Sequence, residues 1–304
     1  MLKNNSVISI NDLSDDDLNL IFKTADSMAE VLKTGKEIKT MSGKIMATLF
    51  FEPSTRTRLS FESAMHRLGG SVISMADSKS SSAAKGETLA DTTRMVSSYS
   101  DIIVIRHPLE GAARLVQKFS SKPVINAGDG SGEHPTQTLV DLYTIKNSFG
   151  TIDNLEISII GDLRYGRTVH SLLFALSRYN VKINLVSPDL LKLPEHVMSR
   201  IKNIKINEYN SLNSVIESSD VFYVTRIQKE RFTDKNDYNK VIGTYGINEN
   251  DTKLMKNNAI IMHPLPRVDE ISSSVDGTKN AKYFIQAANG IPVRMALISL
   301  ILGD

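Results

Sequence analysis

The stretch KIMATLFFEPSTRTRLSFESAMHRLGG, residues 44–70, contains the unit that recurs along this chain. Its first part, KIMATLFF, is a short and largely apolar run that indicates a buried strand. The following segment carries apolar residues at the spacing of one helix face: Phe61, Ala64, Met65 and Leu68. A Gly-Gly pair then ends the predicted helix. A buried strand followed by an amphipathic helix is the repeating element of folds with parallel sheets.

The same alternation continues in both directions from this stretch. Apolar runs that indicate further strands lie at 71–75, 101–107, 122–128, 155–162, 182–187, 219–225 and 258–264. Segments with helical spacing lie at 15–35, 86–99, 111–119, 134–149, 167–179 and 291–303. Continuous β-branched runs between amphipathic helices are typical of parallel sheets covered on both faces. The pattern predicts an α/β fold with two doubly wound domains, each a parallel sheet flanked by helices.

The long helix predicted at 134–149 separates two series of strands and helices. We place the domain division at its start, which gives one domain of residues 1–133 plus 289–304 and another of residues 134–288. The last segment, IPVRMALISLILG, is apolar enough to require burial, and we expect it to return to the first domain.

Composition excludes several kinds of function. The 304 residues contain no cysteine, which excludes disulfides, thiolate nucleophiles and cysteine-ligated metal sites in this sequence. The histidines lack metal-ligand spacing and no phosphate-binding G-x-x-x-x-G-K-[ST] motif occurs, so we predict no metal and no cofactor. A net charge of +2 gives no reason to expect nucleic acid or a membrane as partner. The first residues lack the apolar core of a signal peptide, so we expect a cytoplasmic location.

The segment STRTR, beginning at Ser54, indicates an anion site. Ser54, Thr55, Arg56 and Thr57 fall in the first turn of the predicted helix, where backbone N–H groups lack partners within the helix and the dipole is positive. A guanidinium group can hold two phosphate oxygens at once. The alternative is a helix capped by Ser or Thr, with its arginines in solvent.

Polar side chains that could bind anions also follow the other predicted strands. They are Arg106, His134, Gln137, Arg164, Arg167, Arg226, Gln228, His263 and Arg267. Each of them alone is typical of an ordinary surface residue. Because ligands of such folds bind at the carboxyl ends of the strands, their recurrence predicts a site for substrates with several negative charges.

Several motifs together resemble the catalytic chains of the aspartate carbamoyltransferase family. In order, they are FFEPSTRTRLSFE, KGETLADT, IRHP, GDGSGEHPTQTLVDLYTI, GDLRYGRTVHSL, TRIQKER and MHPLPRVDEI. The resemblance extends over nearly the whole chain. Ornithine carbamoyltransferases have a cysteine in the segment that corresponds to HPLP, and this chain has none.

The resemblance implies transfer of the carbamoyl group of carbamoyl phosphate to the amine of L-aspartate. It assigns the phosphate to Ser54, Thr55, Arg56, Thr57 and Arg106, and the carbamoyl group to His134 and Gln137. It assigns the aspartate carboxylates to Arg167, Arg226 and Gln228, with the backbone of Pro264 and Leu265 completing the site. Of these residues, Arg56, Thr57, Arg106 and His134 are expected to act in catalysis.

The resemblance also implies an active site that is shared between chains. Ser81 and Lys85 are expected to enter the active site of a neighbouring chain in a homotrimer, with Lys85 acting in catalysis. Some relatives bind separate zinc-containing regulatory chains, which are candidate partners here. Two other functions stay open: a carbamoyltransferase for ornithine or another amino acid, and a non-catalytic anion-binding homologue.

Overall fold

The structure is a computed structural model that describes residues 2, 5–75, 86–202, 204–229, 232 and 234–303. The chain divides into two compact units, Met1–Tyr143 with Asn289–Asp304, and Thr144–Ala288. The first division falls inside a continuous helix, so no loop or change in composition marks it in the sequence. The domain boundary placed before His134 stays a prediction.

The first unit is built on a parallel sheet of four described strands in the order β2-β1-β3-β4. The strands are β1 (Ile45–Phe50), β2 (Ser71–Met75), β3 (Ile102–His107) and β4 (Val124–Asp129). The helices are α1 (Asp15–Thr34), α2 (Thr55–Arg67), α3 (Leu89–Tyr99), α4 (Ala112–Phe119) and α5 (Pro135–Phe149). The apolar runs that predicted β1, β3 and β4 are almost entirely buried, because helices cover such sheets on both faces.

The first helix shows how local sequence sets its ends. The Ser14 side chain accepts a hydrogen bond from the amide of Asp17, and the Asp17 carboxylate accepts one from the amide of Ser14. This capping box satisfies backbone donors that the helix itself leaves without partners. Gly35 follows the helix with φ 68°, a left-handed conformation that glycine adopts at little cost. Both ends lie within one residue of the segment 15–35 that was predicted from its helical spacing.

The second unit contains a parallel sheet of five described strands in the order β7-β6-β5-β8-β9. The strands are β5 (Glu156–Ile160), β6 (Lys182–Val186), β7 (Lys205–Tyr209), β8 (Val221–Val224) and β9 (Ile260–Met262). The helices are α6 (Arg167–Leu176), α7 (Glu195–Met198), α8 (Lys235–Val241) and α9 (Glu249–Leu254). Two parallel sheets with flanking helices confirm the predicted fold class.

The last helix, α10 (Tyr283–Leu302), begins in the second unit and joins the first unit from Asn289 onward. Its residues in the first unit include the buried side chains of Val293, Met295 and Leu297. The helix is long and apolar enough to meet the criteria for a membrane span, but 56% of its most apolar window is buried inside the protein. Its burial is that of a core helix and confirms the predicted return to the first domain.

Candidate active site

The amino terminus of α2 lies directly after β1 and has the features of an anion site. Ser54 precedes the helix in an extended conformation, and its side chain makes no capping hydrogen bond. The first turn contains no acidic residue that could neutralise the positive end of the helix dipole. Thr57 is buried there, whereas Thr55 and Arg56 are exposed. The first turn can therefore present backbone and side-chain donors to a bound phosphate.

Arg106 lies at the end of β3, beside the start of this helix. The register of the sheet pairs it with Phe50, the last residue of β1. Its Nη2 donates to Glu52 Oε1 at 3.2 Å, and its Nη1 donates to the carbonyl oxygen of Ala127 at 3.4 Å. The side chain is only 13% exposed, so its direction is fixed by these contacts. A carboxylate thus neutralises part of the charge that a phosphate would meet.

His134 and Gln137 lie at the start of α5, which follows β4. His134 is buried, and its Nδ1 lies 3.3 Å from the hydroxyl oxygen of Thr136. When that hydroxyl donates to Nδ1, the neutral ring carries its proton on Nε2 and can donate from there. Gln137 is partly exposed and donates its Nε2 to Asp141 Oδ1 at 2.8 Å.

The order of the strands brings these residues to one edge of the first unit's sheet. β1, β3 and β4 are neighbours and run parallel, so their carboxyl ends lie side by side. The residues placed there are Ser54, Thr55, Arg56, Thr57, Arg106, His134 and Gln137. Ser81 and Lys85 lie outside the described residues, so their roles stay predictions.

The second unit has a corresponding edge at the ends of β5, β8 and β9, which are also neighbours. Arg167 begins α6 after β5, and Arg226 and Gln228 follow β8. Pro264 and Leu265 follow β9. The predicted residues of each unit are thus collected at the carboxyl edge of that unit's own sheet.

Asp162 links two of these strand ends and was not among the predicted site residues. It is fully buried and accepts hydrogen bonds from the amides of Tyr165 at 2.9 Å and Gln228 at 3.3 Å. Gln228 Nε2 in turn donates a hydrogen bond to the carbonyl oxygen of Tyr165 at 3.1 Å. Burial raises the pKa of Asp162, while the backbone hydrogen bonds and the charge of Arg226 act against that rise. A carboxylate directly after a buried strand was the sequence signal for it.

Gly161 allows the ends of β5 and β8 to approach closely. It has φ 109°, and a Cβ atom at this position would lie 2.3 Å from the carbonyl oxygen of Thr225. Any larger residue would separate the two strand ends. This close contact lies just before the segments that lead to Arg167 and Arg226.

The segment after β9 is held by a buried pair, His263 and Glu270. His263 Nε2 lies 2.7 Å from Glu270 Oε1, and His263 Nδ1 accepts a hydrogen bond from the amide of Leu265 at 2.7 Å. Burial lowers the pKa of His263, and its Nδ1 acts as an acceptor, so the ring is neutral with its proton on Nε2. Leu265 has φ 55°, which is uncommon for a residue with a side chain. His263 therefore supports the backbone of Leu265.

Two of the cationic side chains at the strand ends, Arg267 and Arg164, form contacts within the second unit. Arg267 donates to Asp276 Oδ2 at 2.6 Å and to the Tyr283 hydroxyl at 3.0 Å. Arg164 donates to the carbonyl oxygen of Leu190 at 3.4 Å, and its guanidinium lies 5.4 Å from the centre of the Tyr165 ring. Their contacts support the loops and differ from those expected of substrate ligands.

The fold and these two strand edges define an α/β protein of two parallel-sheet units, each with basic and polar side chains at the carboxyl edge of its sheet. Comparison with protein families gives two matches that together cover nearly the whole chain. Residues 5–147 match the carbamoyl-phosphate-binding domain of aspartate/ornithine carbamoyltransferases. Residues 153–301 match their aspartate/ornithine-binding domain. The chain belongs to the aspartate/ornithine carbamoyltransferase family.

Individual relatives are similar over their full length. The aspartate carbamoyltransferase catalytic subunit of Picrophilus torridus is 90% identical over 304 residues, covering 100% of both chains. That of Thermoplasma acidophilum is 64% identical over 305 residues, again covering 100% of both.

Solved structures of relatives share the fold. The catalytic subunit of M. jannaschii aspartate transcarbamoylase has a TM-score of 0.91 and 53% identity, covering 99% of both chains. The Trypanosoma cruzi aspartate transcarbamoylase in complex with carbamoyl phosphate and aspartate has a TM-score of 0.93 and 42% identity. That match covers 98% of this chain and 96% of the other.

Proposed function

We propose that this chain is an enzyme that transfers the carbamoyl group of carbamoyl phosphate to the amine of L-aspartate. The products are N-carbamoyl-L-aspartate and phosphate, in an early step of pyrimidine synthesis. The observation that carries the proposal is the cluster of donors at the carboxyl edge of β1, β3 and β4. Membership of the carbamoyltransferase family, and relatives that bear the name of this activity, support it.

The first unit binds carbamoyl phosphate in this proposal. The helix terminus at Ser54–Thr57 and the guanidinium groups of Arg56 and Arg106 hold the phosphate oxygens. Thr57, Arg106 and His134 donate to the carbonyl oxygen, where negative charge develops when the carbon becomes tetrahedral. Loss of one such donor typically costs about 3–4 kcal/mol of transition-state stabilisation.

The second unit binds L-aspartate through Arg167, Arg226 and Gln228, with backbone groups at Pro264 and Leu265. The aspartate amine attacks the carbonyl carbon and forms the new C–N bond. The C–O bond to phosphate then breaks, and phosphate leaves with the electron pair. The amine attacks as the free base, and the departing phosphate takes the proton that the nitrogen loses after the C–N bond has formed. Orientation of the two substrates contributes a further share of the rate enhancement.

We propose further that the chain forms a homotrimer in which Ser81 and Lys85 complete the site of a neighbouring chain. Large apolar side chains are exposed on β2 and α3, which flank residues 76–85 in the sequence, and on α2, which precedes β2. They are Leu59 on α2, Ile73 on β2, and Met95 and Tyr99 on α3. Exposed apolar side chains of this size support an interface between chains.

Mixed chains and native mass measurement test the shared site. Chains with Lys85→Ala and chains with Arg56→Ala are each expected to be inactive alone. Hybrid trimers are expected to regain part of the activity, because some sites then receive both side chains from intact chains. No regained activity would mean that each site is built within one chain.

A substrate panel with carbamoyl phosphate tests the function and its alternatives. Aspartate is expected to be the preferred acceptor, because arginines at the second edge would repel the cationic side chain of ornithine. Preference for ornithine would identify the other branch of the family. Binding of carbamoyl phosphate without turnover of any acceptor would favour the non-catalytic homologue.

An Arg226→Gln variant tests the second edge. It is expected to raise the KM for aspartate at least about tenfold, since one charge-assisted hydrogen bond is lost. The exposed Arg200 supplies the matched control, and Arg200→Gln is expected to leave KM within about twofold. Equal effects of the two changes would contradict the assignment.

A further inference from the structure

Asp141 lies one helical turn after Gln137 on α5. The two side chains are four residues apart and therefore on one face of the helix. Gln137 Nε2 donates to Asp141 Oδ1 at 2.8 Å, and Asp141 is fully buried whereas Gln137 is partly exposed. An ionised carboxylate only accepts hydrogen bonds. The pair therefore fixes which end of the Gln137 amide points inward.

The buried guanidinium of Arg294 is a counter-charge for Asp141. Arg294 lies on α10, is 4% exposed, and its guanidinium carbon lies 5.0 Å from the centre of the Phe61 ring on α2. Gly290, one turn earlier, leaves room for it, since a Cβ there would lie 2.1 Å from Nη1.

The charge state of Arg294 supports its role as the counter-charge. Burial lowers the pKa of Arg294 to about 10, while the charge of Asp141 acts in the opposite direction. Arg294 is thus protonated at neutral pH, and an ionised Asp141 is not left as an isolated buried charge.

We propose that Asp141 is a positioning residue that selects the carbamoyl group by holding the Gln137 amide in one orientation. With Nε2 bound to Asp141, Gln137 presents Oε1, an acceptor, to the ligand. The amino group of carbamoyl phosphate donates hydrogen bonds. The methyl group of acetyl phosphate occupies the corresponding position and is similar in size, but it cannot donate. The inference rests on the proposed contact between Gln137 and the carbamoyl group.

Asp141→Asn tests this inference because a carboxamide both donates and accepts. Gln137 can then turn its own nitrogen toward the ligand, where it opposes the carbamoyl amino group. The readout is the inhibition constant of acetyl phosphate divided by the KM of carbamoyl phosphate, which measures preference for the carbamoyl group. We expect this ratio to fall about tenfold, whereas inhibition by inorganic phosphate stays within about twofold.

Gln137→Ala and the double variant show whether the effect passes through Gln137. The alanine variant is expected to lose the same preference, and Gln137→Ala with Asp141→Asn is expected to lose no more than either single change. A further loss of preference in the double variant would overturn the proposal. An Asp141→Asn variant that keeps the parent ratio would also overturn it, as would one whose binding of inorganic phosphate weakens as much as its binding of carbamoyl phosphate. If Gln137→Ala alone keeps the ratio, the contact with the carbamoyl group is wrong.

A charge swap keeps the proposal testable if Asp141→Asn does not fold. Gln137→Glu with Asp141→Asn preserves the total charge near Arg294, and the new Asn can donate to one oxygen of the new Glu. The second carboxylate oxygen still faces the ligand as an acceptor. We expect the swap to keep the ratio within about threefold of the parent. A tenfold loss in a swap variant that still binds phosphate would contradict the proposed orientation.

Discussion

Replacement of Glu270 by Gln tests how the segment after β9 is supported. Glu270 is 3% exposed and accepts hydrogen bonds from three donors: His263 Nε2 at 2.7 Å and the amides of Val268 and Asp269, both at 3.2 Å. Burial alone would raise its pKa, but the bonds from His263 and the backbone outweigh burial, so the pKa is lowered and Glu270 is ionised. Both carboxylate oxygens of Glu270 therefore face hydrogen-bond donors and act as acceptors.

Glutamine preserves the shape but turns one of the two oxygens into a donor. If its nitrogen faces the amides, donor meets donor there. If it faces His263, the ring must move its proton to Nδ1, which then opposes the amide of Leu265. Either arrangement leaves one buried donor without an acceptor, which costs about 1–3 kcal/mol.

A cost of about 2 kcal/mol corresponds to a fall in Tm of about 4–8 °C for a unit of about 150 residues. Calorimetry of Glu270→Gln measures this directly. The exposed Glu217 of the same unit is the matched control, and Glu217→Gln is expected to change stability by less than about 0.5 kcal/mol. Equal melting temperatures for the two variants would refute the reasoning, because the Glu270 carboxylate would then be replaceable by an amide.

Three further results are expected. The free energy of unfolding should decrease as pH falls below about 6.5, because the folded-state pKa of His263 is lowered and the unfolded chain takes up the proton first. Measurements of unfolding free energy from pH 5 to 8 check this, and His263→Gln should flatten that part of the profile. Asp162→Asn should raise the KM for aspartate about tenfold, because its nitrogen opposes an amide of Tyr165 or Gln228; an unchanged KM contradicts this. Glu52→Gln should tighten binding of inorganic phosphate at least about threefold in calorimetry, since it removes the carboxylate that faces Arg106; weaker binding contradicts this.

The fold was predictable wherever burial imposes a continuous apolar run. The central strands β1, β3 and β5 are such runs, and each was identified within a few residues. β7 was missed because it is an outer strand of the sheet in which no residue is fully buried, so KINEY has no apolar run. α8 and α9 were missed because short helices at the surface bury few side chains and show little apolar spacing.

The candidate site was predictable in part, for a similar reason. Cations that follow apolar strands are visible in a sequence, and strand order alone brings Arg106 close to the start of α2. The carboxylates that orient these groups were not predicted, because Glu52, Asp141 and Glu270 find their partners only through tertiary contacts. Asp141 is typical, since its counter-charge Arg294 comes from the far end of the sequence.

The central claim is that side chains at the ends of the first unit's strands stabilise the reaction of carbamoyl phosphate. The rate of N-carbamoyl-L-aspartate formation by Arg106→Gln tests it most directly, with Arg114→Gln, an exposed arginine on α4, measured alongside. We expect kcat/KM to fall at least about hundredfold for Arg106→Gln and to stay within about twofold for the control. A value for Arg106→Gln within about threefold of the parent would contradict the account.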